Sequence, residues 1–171
     1  EHMIACQIGG LAAIAALHGQ ALNHVKAHGA LANLAAQERP VADAIARATR
    51  AINPDLILLA IANTELQAAG ERANLHTVAE GFADRSYDHA GQLTPRSQPG
   101  AVIHDAQLAA RHALAMANGK GLPCIDGSYI PCEVQSICVH GDTPGAVAIA
   151  QSCRDQLEAA GFRILSFSAP D

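Results

Sequence analysis

The sequence predicts an α/β fold built on a mainly parallel sheet, and three features carry that prediction. The run Leu56-Ile57-Leu58-Leu59-Ala60 is apolar without alternation, as expected of a parallel strand covered on both faces. Strand-like and helix-like segments follow one another repeatedly along the chain, the order of βαβ units. Half of the 171 residues are apolar, yet only 3% are aromatic and none is Trp. The core must therefore be built from Ala, Leu, Ile and Val, which suits helices packed closely on a small-residue sheet. That length suggests one domain over residues 1–171, large enough to bury a core.

In order, residues 4–19 read as an amphipathic to largely buried helix, with Ile4, Ile8, Leu11 and Ile14 at helical spacing and Gly9-Gly10 as a local weak point. Residues 23–26 read as a strand and residues 30–36 as a short helix. Pro40 sits in the first turn of a second helix over 41–51. Asn53-Pro54 breaks that helix before the apolar strand 56–60. Thr64 can cap a helix over 65–72, which Asn74 ends. Residues 76–80 form the next strand candidate, and residues 81–100 the longest irregular stretch. A helix begins at Asp105 and runs to 117, and a hairpin over 122–133 turns at Asp126-Gly127. A buried strand over 137–140 leads into a helix over 146–160 capped by Gly161, and residues 162–167 close as a strand.

Charge and composition narrow the function classes. A net charge of −5 argues against a nucleic-acid binder, which needs a basic face. No apolar run approaches the roughly 20 residues needed to cross a bilayer. The apolar stretch 4–17 follows Glu1 and His2 rather than a basic segment, unlike a signal peptide. Five Cys (6, 124, 132, 138 and 153) contain no CxxC pair, so reduced, mostly buried thiols in a cytoplasmic protein are expected. Cys124 and Cys132 flank the hairpin without requiring a disulfide.

Three constellations can carry chemistry. His24, Lys26 and His28 stand at alternate positions of an extended run, so their side chains share one face before Gly29 turns the chain into a helix. A Lys beside imidazoles can lose its proton more readily and act as a base, a neutral His can shuttle protons, and His24 with His28 can hold a divalent metal given a third ligand. The competing reading is a polar strand edge. The second constellation is His140-Gly141-Asp142, at a strand end before a helix. Asp142 is the general-base candidate there unless it merely caps the helix. Thr143 is a further cap candidate, and the helix N-terminus would favour an anion. The third is the long loop, where Asp84, Arg85 and Arg96 suit a carboxylate or phosphate clamp, against the plainer reading of solvated ion pairs. A loop of this length in a compact domain usually lines a site. His2, His18, His104 and His112 read as surface or helix-face residues and His89 as a solvated loop tip. No complete GxGxxG or GxxxxGK[ST] motif marks a nucleotide site.

The stretches His24-Val25-Lys26-x-His28-Gly29-Ala30-Leu31, Phe82-Ala83-Asp84-Arg85-x-Tyr87 with Pro95-Arg96-Ser97-Gln98-Pro99-Gly100-Ala101-Val102-Ile103, and Ile137-Cys138-Val139-His140-Gly141-Asp142-Thr143-Pro144-Gly145-Ala146 resemble the LamB/YcsF family, the A subunits of prokaryotic 5-oxoprolinases. The resemblance runs nearly end to end and in the same order. It implies an irregular β/α barrel related to the polysaccharide-deacetylase fold. It also implies ATP-dependent opening of the lactam of 5-oxo-L-proline to L-glutamate, with ATP as co-substrate and two partner subunits, B and C. By position it carries active-site roles onto His24, Lys26, His28, Asp84, Arg85, Arg96, His140 and Asp142. In this sketch Asp142 or a His handles protons, and Lys26 with an Arg holds the substrate carboxylate or a phosphorylated lactam.

The chain departs from that pattern at Ala27, where family members usually have Pro, and at Ala32, where they have Tyr. The first loosens the turn after Lys26, and the second removes a ring and hydroxyl near the site. Relatives also begin with a longer N-terminal part, including an Asp-Leu-Asn-x-Asp strand. By the resemblance, then, the chain corresponds to the C-terminal two thirds of a barrel, its N-terminal strands absent and its activity alone expected to be lost. Exposed strand edges would then favour self-association into a homo-oligomer or a rearranged N-terminal helix. Two alternatives stay open: a metal-dependent deacetylase-like hydrolase, and a non-catalytic subunit that presents substrate to another chain.

Overall fold

The computed structural model describes residues 1–166, in two compact units spanning residues 1–78 and 79–166. In the first unit, α1 (His2–Leu17) is a single unbroken helix through Gly9-Gly10. Ile4 and Ile8 are buried one turn apart, whereas Met3, Leu11, Ile14 and Leu17 are exposed. The expectation of a largely buried helix is thus corrected: one short stripe reaches the core, and Met3, Leu11, Ile14 and Leu17 stand outward.

Strand β1 (His24–Lys26) leads through Gly29 into α2 (Ala30–Gln37) and α3 (Arg39–Ile52), the latter with Pro in its first turn. Pro fits there because its missing N–H would have had no helical partner. Strand β2 (Ile57–Ile61) is buried at all five residues, as its unbroken apolar run predicts. It pairs in parallel with β1, His24 opposite Ile57 and Lys26 opposite Leu59. Helix α4 (Glu65–Arg72) is capped by Thr64, whose hydroxyl accepts from Gln67 N–H at 3.5 Å and donates to the Ile61 carbonyl at 2.6 Å. Asn74 follows it in the left-handed region, φ 52°. The core of this unit is aliphatic, with Ile45, Leu56, Leu58 and Leu66 among small residues such as Ala35, Ala42, Ala46 and Ala69.

Strand β3 (Thr77–Phe82) begins at the end of the first unit and continues into the second. There the 83–105 segment is followed by α5 (Ala106–Ala117), capped by Asp105, whose carboxylate accepts from Leu108 N–H at 2.7 Å. Strands β4 (Leu122–Pro123) and β5 (Tyr129–Ile130) form the expected antiparallel hairpin. Strand β6 (Ser136–Cys138) pairs in parallel with β3 and is followed by α6 (Ala146–Ala159). Helices α5 and α6 pack together through Ala109, Ala110, Ala113, Ile149, Cys153 and Leu157, and small side chains let the two axes approach closely. Parallel pairing thus joins β1 to β2 and β3 to β6.

The fold is α/β with parallel pairing, as expected, and two elements differ from their sequence reading. Strand β6 is half-buried rather than buried. Residues 162–166 form no strand among the described residues: Phe162 N–H is taken by the Leu157 carbonyl as α6 closes over Gly161. The last position of that expected strand, Phe167, lies outside the described residues. All five cysteines are free thiols, with Cys124 and Cys153 buried, Cys132 and Cys138 half-buried and Cys6 exposed, so fewer are buried than expected. Among the described residues no helix is long and apolar enough to cross a membrane.

Candidate active site

In the second unit the parallel register itself assembles a polar cluster. Glu80 lies opposite Ser136, Gly81 opposite Ile137 and Phe82 opposite Cys138, a constant offset along the two strands. The ladder continues past the strand ends with Ala83 N–H donating to the Cys138 carbonyl at 3.0 Å. The same offset of 56 then brings Asp84 against His140. Both residues stand just beyond the carboxyl ends of parallel strands, where α/β folds place their reactive groups.

Asp84 is fully buried. Its carboxylate accepts the His140 backbone N–H at 3.1 Å, lies 2.9 and 3.0 Å from His140 Nδ1 through its two oxygens, and accepts the Thr143 hydroxyl at 3.2 Å. Burial pushes the carboxyl's proton affinity up. The His140 ring bond, the His140 N–H, the imidazole charge and the Thr143 hydroxyl outweigh burial and hold the group below the usual carboxylate range. An ionised carboxylate can only accept, so Nδ1 of His140 carries the proton in this contact, and Nε2 is the ring nitrogen left to exchange one. The ring is fixed on its other side by stacking on Phe82, with centroids 5.0 Å apart and 15° between planes. Two contacts thus set the tautomer and the orientation of one imidazole.

The two arginines part company here. Arg85 is buried, donating through Nε to the Ala101 carbonyl at 3.1 Å and through a terminal nitrogen to the Thr94 carbonyl at 2.6 Å. Its guanidinium therefore ties down the long loop rather than facing a ligand, and burial followed by the nearby Arg96 charge lowers its proton affinity. Ser86 adds bonds to Thr94 and the Gly100 carbonyl, and the buried Tyr87 hydroxyl accepts Phe82 N–H at 2.9 Å. Arg96 is exposed on the same loop, 3.8 Å from the exposed carboxylate of Asp142.

Neither cap predicted for α6 forms. Its N-cap is Gly145, in the left-handed region at φ 81°, while Thr143 turns its hydroxyl to Asp84 and Asp142 faces Arg96. His24, Lys26 and His28 belong to the first unit: His24 and Lys26 share a face of β1, His24 Nδ1 lies 3.3 Å from Asn23 Oδ1, and exposed His28 lies just past the strand. A group of three metal-capable side chains lies elsewhere, at His89, Cys124 and Asp126. His89, whose sequence position suggests a solvated loop tip, is exposed but faces Asp126. Sequence reasoning names Asp84 and His140 separately. It misses their pairing, the Thr143 hydroxyl and the Phe82 platform, and the signal that would find them is the strand register.

Comparison with known proteins gives the family. The model of the LamB/YcsF family matches residues 1–171. A 5-oxoprolinase A subunit of Rhodopseudomonas palustris (strain ATCC BAA-98 / CGA009) is 44% identical over 168 residues, covering 98% of this chain and 66% of that protein. A 5-oxoprolinase A subunit of Azoarcus sp. (strain BH72) is 46% identical over 165 residues, 96% of this chain and 64% of that protein. The crystal structure of a lactam utilization protein from Thermus thermophilus superposes with a TM-score of 0.86 at 38% identity, covering 96% of this chain and 65% of the other. The chain thus spans 64–66% of the length of these relatives.

Proposed function

The chain belongs to the LamB/YcsF family, and on that premise we propose that it forms part of the A subunit of a 5-oxoprolinase, opening the lactam of 5-oxo-L-proline with ATP as co-substrate. The observation that supports this most strongly is the buried Asp84 carboxylate holding His140 in one tautomer at the strand ends. Lactam hydrolysis breaks the ring C–N bond, adds water at the carbonyl carbon and returns a proton to the ring nitrogen, while the terminal phosphoryl group of ATP passes to the lactam oxygen, releasing ADP, and leaves as phosphate. A fixed imidazole suits both proton steps. Its Nε2 takes the proton of the attacking water as the C–O bond forms, then gives it to the departing nitrogen. Asp84 acts through His140, as a positioning residue that also stabilises the imidazolium formed between the steps.

In this reading the exposed Arg96 guanidinium, 3.8 Å from Asp142, holds the substrate carboxylate or a phosphorylated lactam, and Asp142 steers it rather than serving as general base. The family resemblance also gives Lys26 and His28 catalytic roles and His24 a substrate-binding one. As metal ligands, His24 and His28 supply two imidazoles of the three or more ligands that a divalent ion needs. The relatives are named as one subunit of a larger enzyme, which supports assembly with further subunits; we take these to be two, B and C. Five free thiols suit a reducing cytoplasm.

The test is turnover. This chain, and the same chain completed with the part of a relative it does not cover, are each mixed with partner subunits, ATP and 5-oxoproline, and glutamate is measured. Glutamate formation by the completed protein supports the proposal. Cleavage of acetylated sugars in place of the lactam would overturn it in favour of a deacetylase-like hydrolase. Substrate binding without turnover under any condition would make the chain a substrate-presenting component.

A further inference from the structure

A second group of reactive side chains lies outside those assigned to ring opening. His89, Cys124 and Asp126 each turn one ligand atom inward, and these atoms lie within 4.8 Å of one another. The backbone around them is held in place by its own hydrogen bonds. Asp88 shapes the turn that carries His89, its carboxylate accepting Ala90 N–H and Gln92 N–H, each at 2.9 Å. Tyr87 clamps that turn to the hairpin arm, donating its N–H to the Pro123 carbonyl at 3.0 Å and accepting Ile125 N–H at 3.0 Å. His89 is thereby set beside Cys124. Asp126 is fixed in turn by Ser128, whose N–H and hydroxyl donate to Oδ1 at 3.0 and 2.7 Å.

That arrangement leaves Asp126 Oδ2 on the His89 side, 3.6 Å from His89 Nε2. Two ligands about 2.1 Å from a shared tetrahedral ion stand about 3.4 Å apart, so this pair is already close to bite distance. The Cys124 thiol is buried, with only a long 3.9 Å contact to the Asp88 carbonyl. One imidazole, one thiolate and one carboxylate on three separate residues form a mixed N, S, O donor set, which suits zinc over magnesium or calcium.

We propose that His89, Cys124 and Asp126 bind a zinc ion, with water in the fourth position, joining the 88–92 turn to the hairpin tip. On binding, the Cys124 thiol loses its proton to solvent as the S–Zn bond forms, while His89 Nε2 and Asp126 Oδ2 donate lone pairs; no redox step is involved. The site is a structural clasp on the loop that also carries Arg85 and Arg96.

Cobalt(II), which reports thiolate ligation by a near-ultraviolet charge-transfer band, is titrated into the metal-free chain and then displaced with zinc. One equivalent with that band is expected, lost on zinc addition. Cys124→Ser should abolish the band, and Asp126→Asn and His89→Ala should each weaken apparent zinc affinity at least tenfold. His89 is 74% exposed in its side chain, so its truncation leaves the fold intact and keeps the result interpretable. Zinc should also protect Cys124 from alkylation while leaving Cys6 reactive. No charge-transfer band at saturating cobalt, a band that survives Cys124→Ser, or zinc affinity within twofold of wild type in His89→Ala would each overturn the site.

Discussion

Replacing Asp84 by Asn keeps the shape of the buried side chain and removes its charge. Three donors converge on that carboxylate: the His140 backbone N–H, the His140 ring and the Thr143 hydroxyl. A hydrogen bond to a charged acceptor is worth roughly 1.5–3 kcal/mol against about 0.5–1.5 for a neutral one, so three weakened bonds cost about 3 kcal/mol. The amide also brings an N–H to the face of the ring where Nδ1–H now stands. To escape donor facing donor, the imidazole must move its proton to Nε2, and the atom proposed to accept a proton is then occupied. Two readouts separate these effects. Urea unfolding of Asp84→Asn should show a midpoint loss matching about 3 kcal/mol. Nitrogen-edited NMR of His140 should show the protonated nitrogen switching from Nδ1 to Nε2. A variant as stable as the parent, with Nδ1 still protonated, would refute the reasoning.

The sign of the pH dependence follows from the same pair. Asp84 has a lowered proton affinity in the folded chain, so its contribution is present above the unfolded carboxyl value of 3.8 and is lost as pH falls through the lower folded one. Acid unfolding curves of wild type and Asp84→Asn should therefore begin to approach each other below about pH 4 and meet only below the folded value. Arg85→Met should destabilise by about 2–4 kcal/mol and open residues 86–103 to limited proteolysis, because the Ala101 and Thr94 carbonyls lose their buried donor. Gly121→Ala should destabilise by more than about 3 kcal/mol in urea titration, since the backbone there is left-handed at φ +91° and a Cβ would collide with the Ile130 carbonyl oxygen. Burial pushes the Cys153 thiol up to about 11, with the Asp84 charge adding to it. Native-state labelling at pH 8 should therefore mark Cys6 quickly and Cys153 only on unfolding, as mass spectrometry of tryptic peptides would show.

Much of this architecture is legible in the residues themselves. The unbroken apolar run at 56–60 announces a strand buried on both faces, and Thr64, Asn74 and Asp105 mark helix ends by their capping chemistry. Local signals fail where burial by distant residues decides. Leu11, Ile14 and Leu17 have the spacing of a core stripe yet are exposed, because spacing does not say what covers a face. Residues 162–166 are apolar enough for a strand but find no ladder among the described residues. The candidate site divides along the same line. Residue type picks out Asp84, Arg85, Arg96, His140 and Asp142, while the division of labour among them needs geometry. The buried carboxylate is Asp84 rather than Asp142, and the buried guanidinium is Arg85 rather than Arg96. Arg85 looks like a clamp because a guanidinium binds carbonyls and carboxylates with the same fork, and only the fold shows which it meets.

The most direct test of the ring-opening account is the effect of His140→Gln on turnover of 5-oxoproline with ATP, in the completed protein assembled with its partner subunits. Gln keeps a polar side chain but cannot carry a proton between water and the leaving nitrogen. The account predicts a fall in kcat of about 10²–10⁴ with KM nearly unchanged. A kcat within twofold of wild type would contradict it and place the proton chemistry on another residue.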